Sequence, residues 1–172
     1  MERTITESMG PLSGAIQRRI KNAGRLAIVG IGDELILPDR LGMYAAQVIG
    51  EQQIPGVEIF FAGTVPESIT GLLRRYQPEH VLFLDSAAMG TRPGTIALIE
   101  PEQVHASLLS THVLPLTVVM SYVEQETGAG VTLLGIQPDL SGTDTDLAGE
   151  DRVCLDRNLQ VLSRIIRDRQ IV

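Results

Sequence analysis

Two stretches of this chain, Leu26-Ala27-Ile28-Val29 and Val81-Leu82-Phe83-Leu84, are apolar at every position. A strand that alternates apolar and polar residues gives one face to water. A strand apolar throughout has no such face and must be covered on both sides. Around these runs the spacing changes to that of helices. From about Pro38 to Glu51, Leu41, Ala45 and Val48 share one face. Val57 to Phe61 reads as a second strand and Glu67 to Tyr76 as a helix. A Gly- and Pro-rich turn from Gly90 to Gly94 precedes a short strand from Thr95 to Ile99. Pro115 to Gln125 reads as a helix and Val131 to Ile136 as a strand. A closing helix is expected from about Glu150 to Arg169, with Val153, Leu155, Leu159, Leu162 and Ile166 facing inward. Strands alternating with helices, joined by right-handed crossovers, give an α/β fold of three layers, a mainly parallel twisted sheet between helices.

Before the first strand, Leu12, Ile16 and Ile20 follow i, i+4 spacing, with basic residues crowded at the far end. They predict a short amphipathic helix, so residues 1–23 are read as an N-terminal helical extension and 24–172 as a single α/β/α domain. A length of 172 residues suits one domain.

Charge and composition exclude several classes of function. Acidic residues outnumber basic ones, 21 to 14, for a net charge of −7. Such a surface has no electrostatic footprint for nucleic acid and is repelled by anionic lipid, so a basic or neutral protein is the natural partner. The single cysteine, Cys154, excludes an internal disulfide, a Cys-rich zinc site and an iron–sulfur cluster. No run approaches membrane-spanning length, and MERTITESMG is too polar for a secretory leader. The expected compartment is the cytoplasm.

In a parallel sheet, ligands bind beyond the carboxyl ends of the strands. Asp39 follows the first strand across its loop, Asp85 closes the third, and His112 lies just ahead of Pro115 and a helix. Two carboxylates and an imidazole make an N/O donor set for a borderline divalent ion such as nickel or zinc, with positions left for ligands from a substrate. Each residue also has a plainer reading. Asp39 beside Pro38 suits a helix start, where a carboxylate complements the dipole. An acid ending a buried strand needs solvent or a partner, and a lone histidine is commonly structural, as His80 and His105 are read to be. Spacing alone leaves these readings open.

Other site types fit less well. Gly30-Ile31-Gly32 opens like a dinucleotide fingerprint, but Leu35 stands where its third glycine belongs. No Walker loop, serine nucleophile elbow or paired-histidine zinc helix is present. Cys154 between Val153 and Leu155 reads as a small core residue. The acidic stretch from Asp139 lacks the register of a calcium loop and reads as a solvated loop bordering a groove.

The segment from Ile28 through Gly30-Ile31-Gly32-Asp33 to Asp39 and Gly42 resembles the opening of the hydrogenase maturation endopeptidases. Gly63-Thr64-Val65-Pro66-Glu67 resembles that family's Gly-Thr/Ser-x-Pro-Glu turn. Leu84-Asp85-Ser86-Ala87, Ser110-Thr111-His112 with Pro115-Leu116, and Leu134-Gly135-Ile136-Gln137-Pro138 resemble its later segments in the same order. The resemblance runs over roughly residues 25 to 168, and the formate-hydrogenlyase-type branch is the nearest in pattern.

The resemblance implies a five-stranded sheet between helices and metal-binding, catalytic roles for Asp39, Asp85 and His112. It implies a nickel-dependent endopeptidase that removes the C-terminal extension of a [NiFe]-hydrogenase large-subunit precursor. Nickel would belong first to the precursor, and its presence would license the cut. Three departures stand out: Asp33 replaces the usual asparagine, Pro38 replaces the first acid of an acidic pair, and Phe61 stands where many relatives carry an aspartate. Arg40 adds a cation beside a predicted ligand. Asp33 is a candidate substitute for the missing carboxylate and, with Arg40, a candidate substrate contact; Asp33 equally suits a turn that bonds its own backbone. Two other functions are carried forward: a non-cleaving nickel-sensing chaperone, favoured by Phe61 and Pro38, and a small-molecule hydrolase or phosphorylase on the same fold.

Overall fold

The structure is a computed structural model that describes residues 3–104, 115–142 and 145–169, with side chains from Met9 onward. Its elements are α1 (Arg3–Ile20), β1 (Leu26–Ile31), α2 (Leu41–Glu51), β2 (Val57–Gly63), α3 (Thr70–Tyr76), β3 (His80–Ser86), β4 (Ile96–Ile99), α4 (Leu116–Thr127), β5 (Gly130–Ile136) and α5 (Gly149–Asp168). Short 3-10 turns at Pro66–Ile69 and Pro101–Gln103 precede α3 and follow β4.

The strands form one five-stranded sheet in the order β2-β1-β3-β5-β4. β1 pairs in parallel with β2 and β3, and β3 with β5, while β4 runs antiparallel along β5. Both fully apolar runs occupy central strands, β1 and β3, whose residues are buried at every position. Their alternate side chains divide between two cores. Leu26, Ile28, Leu82 and Leu84 meet Ile16 and Ile20 of α1, Ala45 and Ile49 of α2, and Leu155, Leu159 and Leu162 of α5. Ala27, Val29, Val81 and Phe83 point the other way, toward Leu73 of α3 and Leu116, Val119 and Val123 of α4. This is the three-layer α/β/α arrangement expected from the pattern, with a sheet parallel except at β4.

Two expectations for core residues fail. Val153 is 48% exposed. α5 buries Leu155, Leu159, Leu162 and Ile166, and a residue two positions before Leu155 lies roughly 200° around a helix of 3.6 residues per turn. Cys154 is half-buried, with Asn158 Nδ2 3.6 Å from its sulfur. Among the described residues no helix is long and apolar enough to cross a membrane.

Candidate functional site

The chain leaves β1 for β2 on one side and later returns to place β3 on the other. The crevice between the carboxyl ends of β1 and β3 is therefore the point where strand order reverses, where open α/β sheets hold their ligands. Three glycines let α2 and its loop close onto this crevice. A Cβ at Gly42 would overlap the carbonyl oxygens of Leu84 and Ile31, so the first turn of α2 sits directly on β1 and β3. A Cβ at Gly30 would stand 2.8 Å from Ala46 Cβ and 2.9 Å from the Gly42 oxygen. Gly32 has φ +139°, and the Asp39 carbonyl occupies the space its side chain would need.

Asp39 is thereby carried onto the crevice with only 7% of its surface exposed. Its Oδ2 accepts the Asp33 backbone N–H at 2.9 Å. Its Oδ1 is buried without a hydrogen-bond partner among the described residues. Asp85, one residue after Leu84, is fully buried opposite Gly135, and its Oδ1 accepts the Ser86 N–H at 2.8 Å. The two predicted carboxylates thus come to the same edge, from the loop after β1 and the end of β3. Glu67 Oε2, in the turn after β2, and Ser86 Oγ are also buried without a hydrogen bond among the described residues. Buried oxygens are ordinarily satisfied, so each such exception calls for a ligand, ion or water; Ser163 Oγ on α5, away from this edge, is another.

His112 and His105 lie outside the described residues, so the three-residue set is represented here by Asp39 and Asp85. Among the described residues no group of three His, Cys, Asp or Glu side chains is placed to hold a metal. His80 stands at the amino end of β3, the opposite edge. Its Nε2 is 2.8 Å from Thr132 Oγ1, and burial, aided by the charge of Arg19, lowers its pKa from 6.5 to about 4. It is a neutral structural histidine at ordinary pH.

The two candidate substrate contacts, Asp33 and Arg40, both have partners within the protein. Asp33 Oδ1 accepts the Leu35 N–H at 2.9 Å, the turn role open to it from sequence. The Arg40 guanidinium pairs with Asp146, tying the acidic loop to the start of α2. Gln137 has a role that sequence reasoning missed. Buried just past β5, it accepts the Met89 N–H on Oε1 at 2.6 Å and donates from Nε2 to the Pro138 oxygen at 3.1 Å. Its backbone pairs with Gly94 and Thr95 at 2.8 and 2.9 Å. The turn that follows Asp85 is therefore pinned to β5. A polar amide ending an apolar strand, Gly135-Ile136-Gln137-Pro138, was the available signal.

Comparison with known proteins gives a consistent result. A family model described as hydrogenase maturation protease matches residues 45–156. A protein of Methanocaldococcus jannaschii, provisionally named a hydrogenase maturation protease, is 33% identical over 130 residues, covering 71% of this chain and 77% of its own. The hydrogenase 3 maturation protease of Escherichia coli K12 is 27% identical over 113 residues, covering 65% of this chain and 72% of its own. Among solved structures, the [NiFe] hydrogenase maturation protease HycI of Thermococcus kodakarensis superposes with a TM-score of 0.75 at 27% identity, over 90% of this chain and 99% of that one.

Proposed function

The chain belongs to the hydrogenase maturation protease family, and we propose from that premise that this endopeptidase removes the C-terminal extension of a [NiFe]-hydrogenase large-subunit precursor after nickel has been inserted. The observation that carries this reading is the pair of buried carboxylates at the carboxyl edge of the sheet, Asp39 in the loop after β1 with an unsatisfied Oδ1 and Asp85 at the end of β3. A desolvated carboxylate oxygen such as Asp39 Oδ1 is costly unless a cation or donor meets it. A divalent ion arriving with the precursor supplies that charge.

In this reading nickel is the precursor's cargo and supplies Lewis acidity near the bond to be cut. Asp39 and Asp85 engage it as anions and thereby fix the bound segment, so that the scissile peptide is held rather than searched for. The Asp33–Asp39 hydrogen bond holds the Asp39 carboxylate in its orientation before substrate arrives. Pro115, three residues after His112, begins the approach to α4, which runs back to the amino end of β5 and so starts at the carboxyl edge. His112 would complete the donor set as a neutral imidazole, so acid weakens docking. The compartment is the cytoplasm.

Nickel-loaded and metal-free precursor, incubated separately with the protein and resolved on a gel, test the proposal. Shortening of the loaded form alone is the expected result. Equal cutting of both forms would remove nickel from the reading, and cutting of neither would leave the docking chaperone as the better description.

A further inference from the structure

We infer that the loop after β1 and the end of β2 form a nonpolar docking rim for the precursor segment that borders the cleaved bond, with Leu35 as its central contact. The inference rests on the protease reading above. Leu35 is 89% exposed, and Ile36, Phe61 and Val65 are 49%, 51% and 45% exposed. A single exposed aliphatic residue is ordinary. Leu35 and Ile36 lie in the loop after β1, Phe61 lies near the end of β2 and Val65 just past it. The two segments are stitched together, because Gly32 N–H donates to the Gly63 oxygen at 2.8 Å and Phe61 lies opposite Gly30 in the β1–β2 register. An apolar group of this kind beside a site marks recognition.

Leu35 is also held where it is. Its own N–H donates to Asp33 Oδ1 at 2.9 Å, and Ile36 N–H donates to the Asp33 oxygen at 3.2 Å. Asp33 N–H in turn donates to Asp39 Oδ2. One carboxylate therefore both faces the crevice and fixes the loop that displays Leu35, so little ordering is needed when a partner binds. A chain that brings a peptide bond to Asp39 and Asp85 runs beside this rim. The occupant is thus the extended substrate segment itself, carrying a large aliphatic or aromatic side chain next to the bond that is cut. Glu34, exposed beside Leu35, makes an acidic side chain there unfavourable.

The test uses the full chain with nickel-loaded [NiFe]-hydrogenase large-subunit precursor, reading binding by titration calorimetry and cleavage by steady-state kinetics. Leu35→Asp is expected to weaken binding roughly ten-fold or more, the value of one buried leucine. It should raise KM with kcat retained. Leu35→Met should restore both to within about three-fold, since it keeps the apolar volume. Wild-type binding and KM in both Leu35→Asp and Phe61→Asp would overturn the rim, as would a wild-type protein that binds no precursor. A wild type that binds without cutting would overturn the protease reading instead, and the titration would still decide the rim.

Discussion

The first turn of α2 meets β3 backbone to backbone: Gly42 lies against the Leu84 carbonyl so closely that no side chain fits between them. Asp39 precedes this contact by three residues and Asp85 follows it by one. Gly42→Ala must therefore push α2 off the sheet, because the overlapping atoms are carbonyls with no rotamer to change. A loss of about 3 kcal/mol is expected in urea unfolding. Gly71→Ala, in α3 with open space around it, should be neutral or gain up to about 1 kcal/mol. Equal stability of the two variants would contradict the docking.

Asp39→Asn keeps an oxygen to accept the Asp33 N–H but removes the charge. Tail removal should fall on the order of 100-fold, with the unfolding midpoint nearly unchanged. His112→Ala should likewise abolish tail removal with the helical signal in circular dichroism intact. A rate near wild type in either variant would remove that residue from the site.

Gln137→Ala should cost roughly 2 kcal/mol, since it leaves the half-buried Met89 N–H without its acceptor. Hydrogen exchange at Met89 and Gly90 should speed up, reporting release of the turn after Asp85. Unchanged exchange there would mean that the turn holds by other contacts.

His80 makes stability depend on acid. Its folded pKa of about 4 lies below the unfolded 6.5, because burial first and Arg19 second disfavour the charged ring. The unfolded chain therefore binds the proton more readily, and stability is complete above about pH 6.5 and falls as pH drops toward 4. Between pH 7.5 and pH 5 the loss from this residue is roughly 2 kcal/mol at 1.36 kcal/mol per pH unit. His80→Gln should flatten that part of the urea-unfolding profile. A profile as steep as wild type would place the acid sensitivity elsewhere.

The isolated protein should bind nickel weakly, because hard carboxylates and one imidazole leave coordination to be completed by substrate. Added nickel should shift Tm only slightly, as mass action requires for a weak site. Tight stoichiometric binding in calorimetry, with efficient cutting of metal-free precursor, would indicate a resident metal and no checkpoint.

How legible these features were depended on whether they are local. The strands of β1 and β3 announce themselves because burial on both faces leaves no polar position. α5 is periodic enough to reveal Leu155, Leu159 and Leu162, although Val153 is too near that stripe in sequence to be told from it without the helix phase. The helix expected from Pro38 begins at Leu41, because Asp39 and Arg40 N–H groups close a turn on the Ile36 oxygen instead. Glu67 to Tyr76 is split at Thr70, the preceding turn being opened by Pro66. Asp39 and Asp85 were visible as acids after strands. The bonds that brace the segments next to them, Arg40 to Asp146 and Gln137 to Met89, join residues 106 and 48 positions apart and leave no periodic trace.

The strand order also sets a schedule for assembly. β4 is synthesised before β5, yet β5 is its sheet partner and separates it from β3. When the ribosome has delivered residue 99, β1, α2, β2 and β3 can close into a compact half that already contains the switch crevice, while β4 has nothing to pair with. The sheet is completed only when residues 130–136 insert between two strands made earlier. That late, non-local insertion is the entropically slow step of such a topology, and until it happens β4 presents an open edge to any neighbouring chain. The nascent protein is therefore most vulnerable to self-association between those two points of its synthesis, and a chaperone that shields one short strand would have a defined interval in which to act.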